Sequence, residues 1–211
     1  MTESRNRTVG IVIYEQVEVL DFTGPFEVFS VTRTDPEADR QSPLPYSVRL
    51  IAQSMQTVTA TGGMRVLPDF SFSDCPALDI LVVPGGQGSR SQMGNPELLR
   101  FITDRASEVG TVASVCTGSL LLAKSGLLDG KRATTHWRVL DLMQKMFPRV
   151  RVDRSRHVVA DGDVVTSAGI SAGIDMSLYL VAKQYGEQIA RATARQMEYP
   201  YPESDRRRID L

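Results

Sequence analysis

Short apolar runs rich in β-branched residues alternate with longer amphipathic segments along almost all of this 211-residue chain. The runs at 80–83 and 112–115 lack the alternation of a half-exposed strand, which is typical of strands buried on both faces of a parallel sheet. Strands that alternate with helices predict an α/β fold: a doubly wound, mostly parallel sheet with helices on both faces. Ligands of such folds bind beyond the carboxyl ends of the strands. The runs that predict strands are Thr8–Tyr14, Tyr46–Ala52, Asp79–Val83, Thr111–Val115, Val150–Asp153, His157–Ala160 and Val164–Thr166.

Two segments carry helix signals. Residues 95–97, Asn-Pro-Glu, supply an N-cap, a proline at the first helical position and an early acid, and Gly110 closes that segment. A second helix is predicted from about Ala172, because the apolar residues that follow fall on one stripe ending at Tyr185. The polar, proline-rich segment Asp35–Pro45 predicts a surface loop.

The composition excludes several classes of protein. A net charge of -1 at pH 7 predicts no general attraction to nucleic acid or to an anionic membrane. No apolar stretch approaches the roughly 20 residues that span a bilayer, and residues 1–8 lack the apolar block of a signal peptide. We therefore expect a cytoplasmic, soluble protein with one domain at 1–198 and a proline-rich, charged tail at 199–211.

The cysteines and histidines limit the metal and redox chemistry. Cys75 and Cys116 are too few for a disulfide framework, so we expect free thiols in a reducing compartment. His136 and His157 lie far apart, with no ligand-like spacing to either cysteine, so we expect no metal site and no cofactor. We interpret Cys75, in a Ser-Asp-Cys-Pro turn, as structural and His157 as a surface residue.

Cys116 is the strongest candidate for chemistry, because a buried strand ends just before it and helical residues follow at once. The pattern Ser114-x-Cys116-x-Gly118 has the small-x-nucleophile-x-small spacing of a nucleophile elbow. A thiol at a helix N-terminus faces free N–H groups and the positive end of the helix dipole, which favour the thiolate. The alternative is that Cys116 is a small apolar residue of the core, and this segment alone leaves both interpretations open.

A glycine-rich turn, Pro-Gly-Gly-Gln-Gly, follows another predicted strand at residues 84–88. The backbone N–H groups at Gly85 and Gly86 could face a developing negative charge. A nucleotide-binding loop is the rival interpretation, but Ser91 stands where its third glycine would fall, so we reject it. A turn that merely needs glycine remains the simpler alternative.

Three further side chains are candidates to assist the thiol. Asp21 lies between a strand and a helix at the same end of the sheet as Cys116, either as a helix cap or as a general acid and base. A carboxylate and a thiolate in contact repel each other, so the two would titrate as a coupled pair that shares one proton. Glu27 is a weaker candidate acid. His136 is the candidate imidazole partner, with a structural role below the site as an equal alternative.

Several motifs resemble the ThiJ/PfpI superfamily. They are Leu-Asp-Phe-Thr-Gly-Pro at 20–25, Val-Val-Pro-Gly-Gly, Ser-Val-Cys-Thr-Gly-Ser, Gly-Leu-Leu-Asp-Gly-Lys-Arg-Ala-Thr-Thr-His-Trp and Thr-Ser-Ala-Gly-Ile-Ser-Ala-Gly-Ile-Asp at 166–175. The resemblance extends from about Val9 to Tyr199. It is greatest to the isonitrile hydratases and to the sensor domains of some AraC-type regulators. It implies a flavodoxin-like fold, usually a homodimer, with the cysteine at a nucleophile elbow.

The resemblance also implies roles for individual residues. Cys116, the following Thr117 and Asp21 match the nucleophile, its neighbouring threonine and the paired aspartate of isonitrile hydratase. The implied substrate is a small isonitrile, R–N≡C, which becomes an N-substituted formamide through a covalent thioimidate on Cys116, with Asp21 as the general acid and base. The backbone at Gly86 and Thr117 would stabilise the polar end of the pocket.

Other features separate this chain from neighbouring branches of the superfamily. Gly169 and Ile170 resemble residues that line the family pocket. The protease-like branch carries histidine where this chain has Thr117, and the glyoxalase and deglycase branch uses glutamate where it has Asp21. The rival function is a noncatalytic ligand- or redox-sensing domain, since an exposed thiol of low pKa is readily oxidised. We expect no DNA-binding region, because the sequence ends soon after Tyr201.

Overall fold

The computed structural model describes residues 6–37 and 42–209. The terminal residues 1–5 and 210–211 and the middle of the loop predicted at Asp35–Pro45 lie outside these ranges.

Strands and helices alternate along the described chain. The strands are β1 (Arg7–Val12), β2 (Tyr46–Ala52), β3 (Val58–Thr59), β4 (Arg65–Val66), β5 (Phe70–Ser71), β6 (Ile80–Val83), β7 (Thr111–Ser114), β8 (Arg132–Ala133), β9 (Arg151–Val152), β10 (Val158–Asp161) and β11 (Val164–Ser167). The helices are α1 (Val19–Val31), α2 (Ser89–Gln92), α3 (Pro96–Ala106), α4 (Gly118–Lys124), α5 (Leu140–Met146), α6 (Ala172–Tyr185) and α7 (Glu187–Gln196). Short 3-10 turns occur at Thr61–Gly63 and Trp137–Val139.

The central sheet has seven strands in the order β10-β11-β7-β6-β1-β2-β5. Its neighbouring strands are parallel except for the antiparallel pair β10–β11, which confirms the mostly parallel, flavodoxin-like α/β sheet. From β1 the chain winds through β2 to β5 on one side, and then through β6, β7 and β11 on the other. This reversal places a crevice beyond the carboxyl ends of β1 and β6, where ligands of such sheets bind.

The central strands are buried on both faces. Every residue of β6, β7 and β11 is buried. Helices α1, α6 and α7 pack against one another, while α4 packs against α2 and α3 in a second group. Helices that cover both faces remove water from both sides of these strands, which is why their sequences lack a polar alternation.

The longer elements lie where the sequence predicts them. The strand Tyr46–Ala52 has the predicted bounds. Helix α3 follows the predicted Asn95 cap, whose side chain accepts two backbone N–H groups, and ends at Ala106. The strand predicted at Val150–Asp153 shortens to β9, which pairs with β8 outside the central sheet. The two-residue strands β3, β4, β5 and β8 escaped prediction because two residues are too few to show an alternation.

The prediction that His157 lies at the surface was wrong. Its exposed fraction is 8%, and its Nε2 lies 2.8 Å from Oδ2 of the buried Asp175 in α6, at angles outside hydrogen-bond geometry. Its amide donates to the Asp205 carbonyl (2.6 Å), so the C-terminal segment covers this edge of the sheet. A contact made from so far along the chain leaves no local sequence signal.

The boundary between a domain at 1–198 and a tail at 199–211 stays a prediction. Among the helices within the described ranges, none combines the length and the apolar character that crossing a membrane requires.

Candidate active site

Cys116 lies between the end of β7 and the start of α4, in the tight turn that the sequence predicts. Its φ of 55° falls in the left-handed region, which residues other than glycine adopt only when their surroundings hold them there. Its amide donates to the Ala168 carbonyl (2.9 Å), and its carbonyl accepts from the hydroxyls of Ser119 and Thr135, each at 3.0 Å. These hydrogen bonds hold the backbone conformation of the turn.

The surroundings of this turn leave no space for additional side chains. A Cβ atom at Gly118 would lie 2.0 Å from the Val83 carbonyl oxygen. A Cβ atom at Gly85 would lie 2.5 Å from both the amide nitrogen and Oγ1 of Thr117, and 2.9 Å from Oδ2 of Asp21. The end of β6 therefore approaches the turn as closely as the small residues of a nucleophile elbow allow.

Asp21 lies in the first turn of α1 and is fully buried. Its Oδ2 accepts the Gly85 N–H at 2.8 Å, and the Cys116 thiol interacts with the same carboxyl. The other oxygen, Oδ1, is buried with no hydrogen-bond partner that meets geometric criteria among the described residues. The alternative role as a helix cap was wrong: α1 begins at Val19, and Glu18 occupies the cap position.

The carboxyl of Asp21 is held in its neutral form. Burial above all, together with the nearby Glu18 charge, raises the pKa of this group to about 8, against the lowering effect of the Gly85 N–H and the Cys116 thiol. A carboxyl with this pKa carries a proton at neutral pH. Asp21 can therefore donate a proton beside the thiol, which an ordinary exposed aspartate at pH 7 cannot do.

The thiol of Cys116 does not have the low pKa that its position before a helix predicted. Burial and the facing Asp21 carboxyl raise the pKa of Cys116 to about 12, against the lowering effect of the Thr117 and Ile170 N–H groups. Helix α4 has only 7 residues, and the site around the sulfur is almost closed to water. The resting pair is therefore a thiol facing a carboxylic acid, and charge has to develop during a reaction.

The amides of Gly85 and Gly86, which we predicted to face substrate, donate to side chains of the site. The Gly85 N–H binds Asp21, and the Gly86 N–H donates to Thr117 Oγ1 at 3.0 Å. Ser89 Oγ lies 2.9 Å from the same Thr117 oxygen and 2.7 Å from the Gly86 carbonyl. The N–H groups that interact with the sulfur are those of Thr117 and Ile170. These two N–H groups, together with the Thr117 hydroxyl, can stabilise negative charge that develops on the sulfur.

Sequence reasoning missed two residues of this site. Tyr14, just beyond β1, donates from its hydroxyl to the Pro84 carbonyl (2.6 Å) and lies 3.1 Å from the Gly85 carbonyl. Burial, and then Asp21 and Cys116, raise the pKa of this phenol well above its ordinary value. Ser89 is fully buried beneath Thr117. The end of a predicted strand was a usable signal for Tyr14, whereas nothing in the local sequence singled out Ser89.

Gly169, Ile170 and His136 lie together next to the elbow. A Cβ atom at Gly169 would meet the His136 ring at 2.3 Å, so the ring packs directly on this backbone. Ile170 has a φ of 50°, and 38% of its surface is exposed. His136 Nδ1 accepts the Arg138 N–H (3.3 Å), and burial, with the Arg138 and Arg207 charges, lowers the pKa of the ring. These contacts support a structural role for His136, in which its ring holds the turn at Gly169.

The other candidate residues lie apart from this chemistry. Glu27 is exposed on α1, and within the described ranges it makes no hydrogen bond to Cys116. Cys75 is a buried free thiol, with its sulfur 3.4 Å from the Pro76 carbonyl. Within the described ranges, no three His, Cys, Asp or Glu side chains are grouped in a way that would hold a metal ion.

An open, mostly polar cleft of about 480 Å³ lies beyond the ends of β1 and β2. Its lining includes Tyr14, Gln53, Gln92 and Glu97 but not Cys116. Tyr14 lines this cleft, and its hydroxyl also bonds to the turn that holds Asp21. The cleft is therefore connected to the site through Tyr14, although Cys116 and Asp21 are not among its lining residues.

The structure is therefore that of an α/β protein with a doubly wound sheet and a cysteine at a nucleophile elbow. The cysteine has a left-handed backbone conformation after a central strand, and it faces a buried carboxyl. The chain belongs to the DJ-1/PfpI family, whose family model matches residues 7–183.

Comparison with individual proteins gives two kinds of relative. The chain is 39% identical over 198 residues to an isonitrile hydratase of Pseudomonas putida, which covers 93% of this chain and 81% of the relative. It is 34% identical over 156 residues to the HTH-type transcriptional regulator GbdR of Pseudomonas aeruginosa, which covers 73% of this chain but only 42% of the regulator. A crystal structure of a ThiJ/PfpI family protein from Pseudomonas syringae superposes with a TM-score of 0.81 at 30% identity, over 95% of this chain and 78% of that one. The resemblance stated from the motifs is confirmed.

Proposed function

We propose that this protein is an isonitrile hydratase-like lyase that adds water to a small isonitrile and releases an N-substituted formamide. The observation that carries the proposal is the buried, neutral Asp21 carboxyl facing the Cys116 thiol. An isonitrile carbon must gain both a proton and a nucleophile, and these two groups supply one each. The identity of 39% to an isonitrile hydratase over 93% of the chain supports the same reaction.

In the first step, Asp21 donates its proton to the terminal carbon of R–N≡C, and the Cys116 sulfur forms a bond to that carbon. The thiol proton passes to the carboxylate that Asp21 has become, so the pair ends with one proton on Asp21. The product is a covalent thioimidate, R–N=CH–S–Cys. The raised pKa values of both groups suit this step, because both protons are still in place at neutral pH when the substrate arrives.

In the second step, water attacks the thioimidate carbon while the imine nitrogen gains a proton. Asp21 protonates the nitrogen and then removes a proton from the attacking water. The hydroxyl proton of the tetrahedral adduct R–NH–CH(OH)–S–Cys passes to the sulfur as the C–S bond breaks, which restores the Cys116 thiol and releases R–NH–CHO. The N–H groups of Thr117 and Ile170 lie at the sulfur, where they stabilise charge that develops on it as the bond forms and breaks.

The test is turnover of a panel of alkyl and aryl isonitriles by the wild type, Cys116→Ala and Asp21→Asn. We expect formamide from the wild type, none from Cys116→Ala and little from Asp21→Asn. Mass spectrometry of the wild type during turnover should detect an adduct of one substrate mass on Cys116. Formamide production that persists in Cys116→Ala would contradict the covalent mechanism.

The second candidate is a noncatalytic ligand- or redox-sensing domain, which the 34% identity to a transcriptional regulator favours. In that case no isonitrile turns over, and Cys116 responds to peroxide equally well with aspartate or asparagine at position 21. The hydratase instead requires Asp21 for turnover. Measuring both properties on the same Asp21→Asn preparation separates the two functions.

The family resemblance further supports a homodimer that works in the cytoplasm on a small molecule. Light scattering of the purified protein tests the dimer directly. A monomeric mass at working concentration would remove the dimer from the proposal and leave the chemistry of Cys116 and Asp21 unaffected.

A further inference from the structure

The C-terminal strap, residues 205–208, lies against residues 154–157 and 134–135. Its Asp205 carbonyl accepts the His157 N–H, and the Asp205 side chain pairs with Arg156. The Arg207 amide donates to the Ser155 carbonyl at 2.7 Å. The strap is thus fixed by backbone hydrogen bonds along the segment that precedes β10.

Arg207 reaches from the strap to the segment that supports the nucleophile. Its Nη2 donates to Thr134 Oγ1 (2.8 Å) and to the Thr135 carbonyl (3.1 Å), and its Nε donates to the Arg154 carbonyl (3.0 Å). Thr135 in turn donates its hydroxyl to the Cys116 carbonyl at 3.0 Å. One intervening residue therefore separates the Arg207 guanidinium from the backbone of the elbow.

Arg208 connects the strap to helix α6. Its Nη2 lies 2.9 Å from Oδ1 of Asp175, which is 2% exposed in the first turn of α6. Helix α6 begins two residues after Ile170, whose N–H interacts with the Cys116 sulfur. The strap therefore contacts the segment that bonds the Cys116 carbonyl, and also helix α6, which follows the segment that faces the sulfur.

We propose that Arg207 is a positioning residue for Cys116, and that the C-terminal strap completes the support of the elbow. One guanidinium nitrogen, Nη2, bonds both Thr134 and Thr135, while Nε of the same rigid fork anchors the group to the Arg154 carbonyl. Without it, Thr135 is free to leave the Cys116 carbonyl, and the left-handed turn loses one of its restraints. The N–H groups at Thr117 and Ile170 then hold the sulfur less closely. The titratable groups that face this sulfur are Asp21 and Tyr14.

The inference rests on the proposed function only where turnover is the readout, so the primary measurement is the alkylation rate of Cys116. The protein is the full chain carrying Cys75→Ser, so that Cys116 is the one thiol. Iodoacetamide labelling is followed by mass spectrometry over a range of pH below the thiol pKa. Thermal unfolding of each variant is recorded in parallel.

The neighbouring arginines provide a matched comparison, because Arg206 is exposed while Arg207 is half-buried. Arg207→Ala should slow alkylation about tenfold at each pH, equivalent to a rise of one unit in the thiol pKa. Arg207→Lys keeps the charge without the fork and should give an intermediate rate. Arg206→Ala should label at the wild-type rate. With an isonitrile as substrate, Arg207→Ala should lower kcat and leave KM unchanged.

Alkylation at the wild-type rate in Arg207→Ala, together with a lower melting temperature, would show a purely structural strap and overturn the proposal. If Arg207→Ala does not fold, a folded Arg207→Lys protein that labels at the wild-type rate overturns it equally. A wild type that turns over no isonitrile would count against the proposed function alone, because the labelling rates do not depend on it.

Discussion

The Asp21 carboxyl and the Cys116 thiol are buried against each other, and burial raises the pKa of both groups. The Asp21 charge raises the pKa of the thiol further, whereas the hydrogen bond from the thiol lowers the pKa of the carboxyl. A pair of this kind stores two protons at neutral pH and loses the first of them near pH 8. The chemistry of the site therefore depends on a proton donor and a proton-bearing nucleophile rather than on a preformed thiolate.

Replacement of Asp21 should remove proton donation and leave the fold intact. In Asp21→Asn, the side-chain oxygen can still accept the Gly85 N–H. We expect isonitrile turnover to fall about 10²–10⁴-fold, the usual contribution of a positioned acid or base. Alkylation of Cys116 should become faster in alkaline solution, because no carboxylate then opposes the thiolate. Slower alkylation would contradict the arrangement of the pair.

The pH dependence of turnover should follow the proton on Asp21. Burial raises the pKa of this carboxyl to about 8, so the donor is present below that pH and is lost above it. Hydration rates should therefore decline as the pH rises through about 8. The measurement is kcat/KM against pH, which reports on the free enzyme. A rate that increases steadily through this range would indicate that a thiolate, and not the neutral pair, is the reactive form.

The free energy of unfolding should also depend on the proton on Asp21. A carboxyl with a pKa near 3.8 when unfolded and about 8 when folded favours folding fully below the lower value. That contribution is lost as the pH rises through the folded pKa. Denaturant unfolding should show the wild type losing stability between these two values, and Asp21→Asn should flatten the curve. Equal slopes in the two proteins would mean that the Asp21 proton does not contribute.

Ser89 should affect catalysis through Thr117. Ser89→Ala removes a hydroxyl 2.9 Å from Thr117 Oγ1, a hydrogen bond worth about 0.5–1.5 kcal/mol, so we expect kcat to fall by up to about tenfold. Ser91→Ala in the same short helix is the control, because Ser91 is exposed and its hydroxyl donates to the Gly88 carbonyl within the turn. Equal effects of the two substitutions would place the loss in the helix and not at Thr117.

Gly85 should tolerate no side chain. In Gly85→Ala, the new methyl group would lie 2.5 Å from the Thr117 amide and 2.9 Å from the Asp21 carboxyl. Overpacking of this kind costs about 1–3 kcal/mol of stability, and turnover should be lost with it. Gly110→Ala is the matched control, since the nearest atom there is 3.8 Å away. An active Gly85→Ala protein would show that the turn and Asp21 can move independently.

The sequence predicted the sheet and the position of Cys116 because both leave local patterns. Strands without alternation indicated burial on both faces, and small residues around the cysteine indicated a tight turn. The prediction of a low thiol pKa was wrong because this pKa depends mainly on tertiary structure. Packing excludes water from the sulfur, and α1 brings a carboxyl against it. His157 was misplaced for the same reason, since residues about 50 positions later cover it.

The missing Cβ atom at Gly85 also has an evolutionary consequence. The proton donor and the amide beside the sulfur both pack on the bare backbone at Gly85, where a Cβ atom would lie 2.9 Å from the Asp21 carboxyl and 2.5 Å from the Thr117 amide. Descendants of this scaffold that keep the turn inherit that spacing unaltered. New substrate preferences must then arise where the site has room to vary, as at the exposed Ile170, while the reacting pair stays in place.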